Sequence, residues 1–319
     1  MKSENPEKIS IGEQSSQLVP RGFLKKLAIY REFSKSGIVT LVLISVLGGY
    51  LAGHPFEFEF SAAKLILTMT AILLLASGSS ALNQWQERKI DARMPRTLNR
   101  PLPSGRLTPN EAVAFVLITL TLGVSLLFAL STELGLLGVL AVISYNGLYT
   151  LWWKRRMPFA AVPGAIPGAL PILMGYLAAS GNLKDPGGWY LFAILFFWQM
   201  PHFWVLALKY RDDYREGQIP TLPVSMGEGI TRKQITIWGL AYIGISLMAP
   251  LFLPVGNIYL ISAVIVGTWV AIELFRFWRK PEGKSWLRFF LSINFSLVAY
   301  IMLIVIDLWF VYAIPSLTQ

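Results

Sequence analysis

Cysteine is absent from all 319 residues, which rules out disulfides and thiolate metal sites. Histidine is nearly absent as well, limited to His54 and His202. Charged residues are scarce, 14% of the chain against 54% hydrophobic, a balance that a water-soluble domain of this size does not normally show. No polar stretch is long enough to be a separate soluble domain. The longest are the first 36 residues and two loops near residues 85–110 and 209–233. Residues 1–20 contain Glu4, Glu7 and Glu13, unlike an Arg-rich, acid-poor transit peptide or a cleavable signal, which favours a bacterial plasma membrane over an organelle.

What the chain does have suits lipid. Windows of about 20 apolar residues are centred near residues 45, 73, 120, 142, 170, 198, 244, 268 and 300, so the expected fold is an all-α, polytopic membrane protein with a bundle of nine transmembrane helices. Prolines are expected to break the fifth and sixth. Of 28 lysines and arginines, 26 lie before the first span or after the even-numbered ones, with Lys64 and Lys184 the exceptions. Such bases are retained on the cytoplasmic side, which puts the N-terminus inside and the C-terminal tail outside. The net charge of +10 then reads as topology plus an anionic ligand, and no nucleic-acid partner is needed. The organisation expected is a largely disordered cytoplasmic segment over 1–36, a membrane domain over 37–313 and an external tail over 314–319. The two long cytoplasmic loops each mix acids and bases before a proline-containing stretch, "RPLPSGRLTP" or "GQIPTLPVSMGEG", a hint of a duplicated four-helix unit.

The second span leaves the membrane through "NQWQERKIDARMPRTLNRP". Asn83, Glu87 and Asp91 are spaced by four, so on a helix they advance about 40° per step and form one ridge. Nothing ends that helix before Pro95. Neighbouring carboxylates on the ridge have Cβ atoms roughly 5–6 Å apart and repel unless a cation separates them or bases neutralise them. Two carboxylates and an amide suit Mg²⁺, which keeps several waters and shares its shell with phosphate. Arg93, Arg96 and Arg100 gather at the same corner, and their planar forks match phosphate oxygens in pairs. The plainer alternative is that Glu87 pairs with a nearby base.

The sixth span ends in "WQMPHFWVLALKYRDDYREGQIPTLP". If its helix continues past Lys209, the step of about 100° places His202, Lys209 and Asp213 near one line, with Asp212 roughly 80° away. Lys209 and Arg211 would then lie at the membrane surface. His202 sits roughly 10 Å inside the span, where ionisable groups face the bundle interior, although a hydrogen bond to the carbonyl freed by Pro201 explains it too. His54 reads as structural or exposed. Asp307, alone in the ninth span, is the one feature that favours a cation-coupled transporter.

These two stretches, with "LYTLWWKRRMP" and "PGAIPGALP", resemble the protoheme IX farnesyltransferases within the intramembrane aromatic prenyltransferases, over nearly the whole chain. The resemblance implies a cytoplasm-facing central cavity and transfer of farnesyl from farnesyl diphosphate to a vinyl group of haem B, giving haem O. It implies Mg²⁺, with Mn²⁺ as an alternative, bound by Asn83, Glu87, Asp91 and Asp213, with Asp212 in the same motif. Arg93, Arg96, Arg100, Lys154, Lys209 and Arg211 would hold the diphosphate, and His202, Tyr145 and Tyr149 would approach haem. Membrane lipid, and a haem A synthase or terminal oxidase receiving the product, are the implied partners. Glu87 departs from the aspartate usual in the wider superfamily, and Ala160 stands where many members carry asparagine. A prenyltransferase acting on a quinone precursor or chlorin is the rival within enzymology, because the acids and bases read only the diphosphate.

Overall fold

The computed structural model describes residues 21–54, 56, 59–281 and 283–316. Residues 1–20, with the three early glutamates, and 317–319 of the tail lie outside the described residues. Among the described residues all regular structure is helical. In order come α1 (Arg21–Phe33), α2 (Ser36–Ala52), α3 (Ala62–Asp91), α4 (Pro109–Leu130) and α5 (Thr132–Val142). The last continues through a π-helical stretch (Ile143–Trp153) into a single turn, α6 (Lys154–Arg156). Then follow α7 (Ala161–Ser180), α8 (Pro186–Lys209), short α9 (Arg211–Glu216) and α10 (Leu222–Ser225), α11 (Gly227–Ser246), α12 (Asn257–Arg279) and α13 (Lys284–Ser316).

Seven runs are each long and apolar enough to cross a membrane, and α2 joins them when counted with α1, from which it is bent by 64°. Helix α11 is the remaining long one; Glu228, Arg232 and Lys233 near its start lower its hydropathy. The nine apolar windows therefore correspond to helices among the described residues, although not all of them qualify as spans alone. Two local expectations fail. Residues Arg21–Phe33 are helical where a disordered segment was expected, because Ile29, Tyr30 and Phe33 pack onto Trp85 and Phe115. Pro167, Pro171 and Pro201 lie inside unbroken helices, since close neighbours in a bundle supply the packing and partners that a proline removes. The irregularity falls in the fourth span instead, as the π-helical stretch.

Small residues set how closely the helices approach. A Cβ on Gly49 would overlap the carbonyl of Ile172, and one on Gly175 the carbonyl of Val46, so α2 and α7 meet backbone to backbone. The core forms two main bodies. One gathers Trp204, Tyr242, Tyr259 and Tyr300 from α8, α11, α12 and α13; the other joins Val46, Ile72, Leu127 and Leu170 from α2, α3, α4 and α7.

Asp307 has a structural role. It is fully buried on α13, and its carboxylate accepts from the backbone N–H of Gly256 and, at 3.1 Å, of Tyr259. It thus caps the N-terminus of α12 from a neighbouring helix, satisfying donors that the first turn leaves open. His54 lies against Trp309 with ring centres 5.8 Å apart, a packing role at the other end of the bundle. Replacing Asp307 with Leu should lower stability by about 2 kcal/mol, measured by thermal unfolding in detergent, while Asp307→Asn, whose amide oxygen still accepts, should lose less. An unchanged Leu variant would show that this carboxylate does not hold α12.

Candidate active site

Helix α3 runs unbroken for 30 residues to Asp91, so the ridge expected from the four-residue spacing is present. Asn83, Glu87 and Asp91 are all buried, none more than 3% exposed. Such a ridge inside a bundle needs partners, and the π-helical stretch supplies them in register. Ser79 Oγ donates to Asn146 Oδ1 at 2.5 Å, Asn83 Nδ2 to Thr150 Oγ1 at 3.1 Å, and Lys154 Nζ to Glu87 Oε1 at 2.6 Å. Each pair is 67 residues apart in sequence, so both helices advance together by four residues per rung. Thr150 also turns its hydroxyl back to the Tyr145 carbonyl at 2.8 Å, five residues earlier.

Further cations close the ridge. Lys35, at the corner between α1 and α2, adopts a left-handed backbone (φ 54°, ψ 51°), and its Nζ donates to Asn83 Oδ1 at 2.7 Å. That strained conformation in a non-glycine residue costs about 1–2 kcal/mol and places the ammonium on the ridge. Arg100 Nη1 donates to Asp91 Oδ2 at 2.7 Å, and Thr97 Oγ1 to the Asp91 carbonyl at 2.8 Å.

The two acidic motifs come together through one loop. Arg96 stands 3.4 Å from Asp213 Oδ2 and covers the Tyr210 ring at 4.9 Å. A Cβ on Gly217 would come 2.8 Å from Met94 Sδ, so the second loop rests directly on the first. Arg96 and Arg100, four residues apart, tie Asp213 and Asp91 to the same segment.

The second motif departs from its expected geometry. Its helix does not run past Lys209: Tyr210 (φ −104°, ψ 29°) breaks it and α9 starts in a new direction, so the line through His202, Lys209 and Asp213 does not form. Asp213 joins the cluster through Arg96. Asp212 points to solvent, 85% exposed and paired with Arg215 at 2.8 Å. Lys209 lies 4.1 Å over the Trp286 ring on α13 and 5.7 Å over that of Tyr210, with no acidic partner among the described residues. His202 stacks between Trp198 and Phe290, at 4.5 and 5.4 Å, and so faces α13. Arg93 is exposed, and the buried Nε of Arg211 has no hydrogen-bond partner among the described residues. Tyr145 and Tyr149 stack at 5.9 Å. Tyr149 lines a crevice of about 10 Å³ with Lys154, Ala160, Phe203, Ile219 and Thr221, between the π-helical stretch and the second loop.

Several members of the cluster were missed by sequence reasoning. Asn146 and Thr150 carried a usable signal, since with Lys154 they repeat at four-residue spacing inside the apolar run "ISYNGLYTLWWK". Lys35 carried none. Among the described residues no three acids or histidines converge as a ready metal cage. Two carboxylates and an amide on one ridge, each already accepting from a base, fit a hard ion that completes its shell with water and phosphate oxygens.

The profile of the UbiA prenyltransferase family matches residues 42–314. The chain is 44% identical to a protoheme IX farnesyltransferase of Bdellovibrio bacteriovorus, over 89% of this chain and 97% of that one. It is 40% identical to the protein of the same name from Aquifex aeolicus, over 86% and 94%. Its fold is similar to that of a UbiA homolog from Archaeoglobus fulgidus bound to GPP and Mg²⁺, with TM-score 0.63, 15% identity and coverage of 87% of this chain and 99% of that one.

The buried Glu87–Lys154 pair should behave as a unit. Lys154→Met alone, which strands a carboxylate, should cost about 3 kcal/mol, and adding Glu87→Gln should restore most of the loss. Unfolding in detergent measures both, and simple additivity would show that the two side chains are not coupled.

Proposed function

The chain belongs to the UbiA prenyltransferase family, and from that premise we propose that it transfers the farnesyl group of farnesyl diphosphate to a vinyl group of haem B, with addition of water, giving haem O. The observation that carries this reading is the convergence of Lys35, Arg96, Arg100 and Lys154 on Asn83, Glu87, Asp91 and Asp213. Four bases around acids at helix ends form the inverse of a diphosphate headgroup with its metal.

In this reading Asn83, Glu87, Asp91 and Asp213 would hold Mg²⁺, or Mn²⁺ in its place, which when bound would supply positive charge against that of the diphosphate. Lys154, Arg96 and Arg100 then exchange carboxylate partners for diphosphate oxygens and stabilise the charge that grows as the allylic C–O bond opens. Their positions are already set by the acids, so little reorganisation accompanies the reaction. Tyr149, stacked on Tyr145, and Phe203 line the space beside Lys154, where aromatic faces would stabilise a farnesyl cation and keep water from it. A vinyl carbon of haem B forms the new C–C bond, and the resulting cation takes up water and releases a proton, leaving a hydroxyl. The crevice is far smaller than a farnesyl chain, so entry requires the second loop to move away from the π-helical stretch. The partly exposed Arg96–Asp213 contact is the ion pair that ties the second loop to the first among the described residues, and such a pair is weak.

Haem as acceptor is supported by the name of the relatives; the acids and bases read only the diphosphate. Transport has no remaining support, since Asp307 is a helix cap. We place the protein in a bacterial inner membrane, N-terminus in the cytoplasm, on the strength of the lysine and arginine distribution. Haem O would pass from there to a haem A synthase or a terminal oxidase.

Expression in a host lacking its own enzyme, followed by haem extraction, should yield haem O; unmodified haem B from well-folded protein would overturn the assignment. Asp91→Asn should lower turnover by about 100-fold or more, whereas Asp212→Asn should stay within about threefold of the parent. Equal losses would place both carboxylates in the site.

A further inference from the structure

A second basic cleft lies outside the site described above. It has a volume of about 760 Å³ and sits where the end of α12 meets the start of α13. Its upper wall carries Arg276, Arg279 and Arg288 with Ser285, and its lower wall is Phe275, Ile272 and Thr268. These last three, with Arg276 and Arg279, recur at helical spacing along one face of α12. The face rises about 16 Å from Thr268 to Arg279, close to half of a hydrocarbon core of roughly 30 Å. It is turned outward: Phe275 is 60% and Ile272 45% exposed, on a helix that qualifies as a membrane span.

Among the described residues, two of the three arginines at the top have no acidic partner. Arg276 pairs with Glu273 on its own helix. Arg279 leans over the Phe275 ring at 5.7 Å, and among the described residues neither it nor Arg288 has an acidic partner. Ser285 lies in the first turn of the 33-residue α13, where backbone N–H groups also favour an anion. Trp278, 38% exposed beside them, suits the headgroup level of a bilayer.

We infer that this cleft binds an anionic phospholipid, its phosphate held by Arg279, Arg288 and Ser285 and one acyl chain lying along Phe275, Ile272 and Thr268. Arginine forks pair with phosphate oxygens, and basic clefts between spans on the cytoplasmic side are suited to acidic headgroups. A soluble anion would use the arginines and leave the apolar wall uncovered, whereas a neutral lipid would cover the wall and leave the arginines unmatched. Only a ligand with both parts satisfies both. The site is separate from the prenyl-transfer cluster and independent of that assignment.

Native mass spectrometry of the purified full chain in neutral detergent tests this with phosphatidylglycerol, phosphatidylcholine and inorganic phosphate as probes. Phosphatidylglycerol should bind about tenfold tighter than phosphatidylcholine, and R279Q/R288Q should remove that preference while phosphatidylcholine adduction stays the same. Arg288→Gln alone, at an exposed side chain with no acidic partner among the described residues, should give a partial loss even if the double variant folds poorly. Three results would overturn the inference: wild-type affinity for phosphatidylglycerol in the variants, equal binding of the two lipids by the parent, or complete displacement of phosphatidylglycerol by millimolar phosphate.

Discussion

Two carboxylates buried at the end of a membrane helix have to be neutralised, and much of the architecture around α3 follows from that need. Glu87 and Asp91 are nearly inaccessible, and an uncompensated charge there would cost several kcal/mol. Each is met by a base from a different part of the chain, Lys154 from the fourth span and Arg100 from the loop after the second. The loop must therefore fold back over its own helix, and the fourth span must lie alongside α3 in register. The π-helical stretch supplies that register: Asn146, Thr150 and Lys154 all face one ridge. Such wide turns recur at functional sites because they re-aim side chains without ending a helix.

The same pairing bears on the proposed binding of a diphosphate. A base held by a carboxylate is already positioned, and a diphosphate would offer it an equivalent anionic partner, while the acids so released would be free to hold a metal ion. Such an exchange would conserve charge, so the bases are preorganised by the acids they now meet. The contact between the two loops is of another kind. Arg96 and Asp213 are partly exposed and 3.4 Å apart, a weak pair compared with the buried ones. The buried pairs thus hold α3 and its ladder, while the second loop is tied to the first by a partly exposed pair.

Much of this was legible in the residues themselves. The ridge of Asn83, Glu87 and Asp91 needed only helical periodicity. The second motif was harder to read, because a single residue, Tyr210, ends α8 and redirects the chain. Extrapolating one helix through that point aligned His202, Lys209 and Asp213, whereas the bend separates them and leaves Asp212 in solvent. The prolines misled in the opposite sense: Pro167, Pro171 and Pro201 look like breaks in isolation but are absorbed by close packing.

What the sequence determined by itself is the solvent, the number of long apolar segments and the acidic ridge on α3, because these depend on composition and period along the chain. What tertiary structure alone decided is partnership: that Lys35 reaches Asn83 across 48 residues, that Lys154 meets Glu87 across 67, that Arg96 joins the two acidic motifs, and that Asp307 caps a helix rather than carrying an ion. The physical reason is that a buried charge fixes the need for a counter-charge but not its source. The source is set by which helices small residues allow to come close, and by where one backbone angle turns the chain.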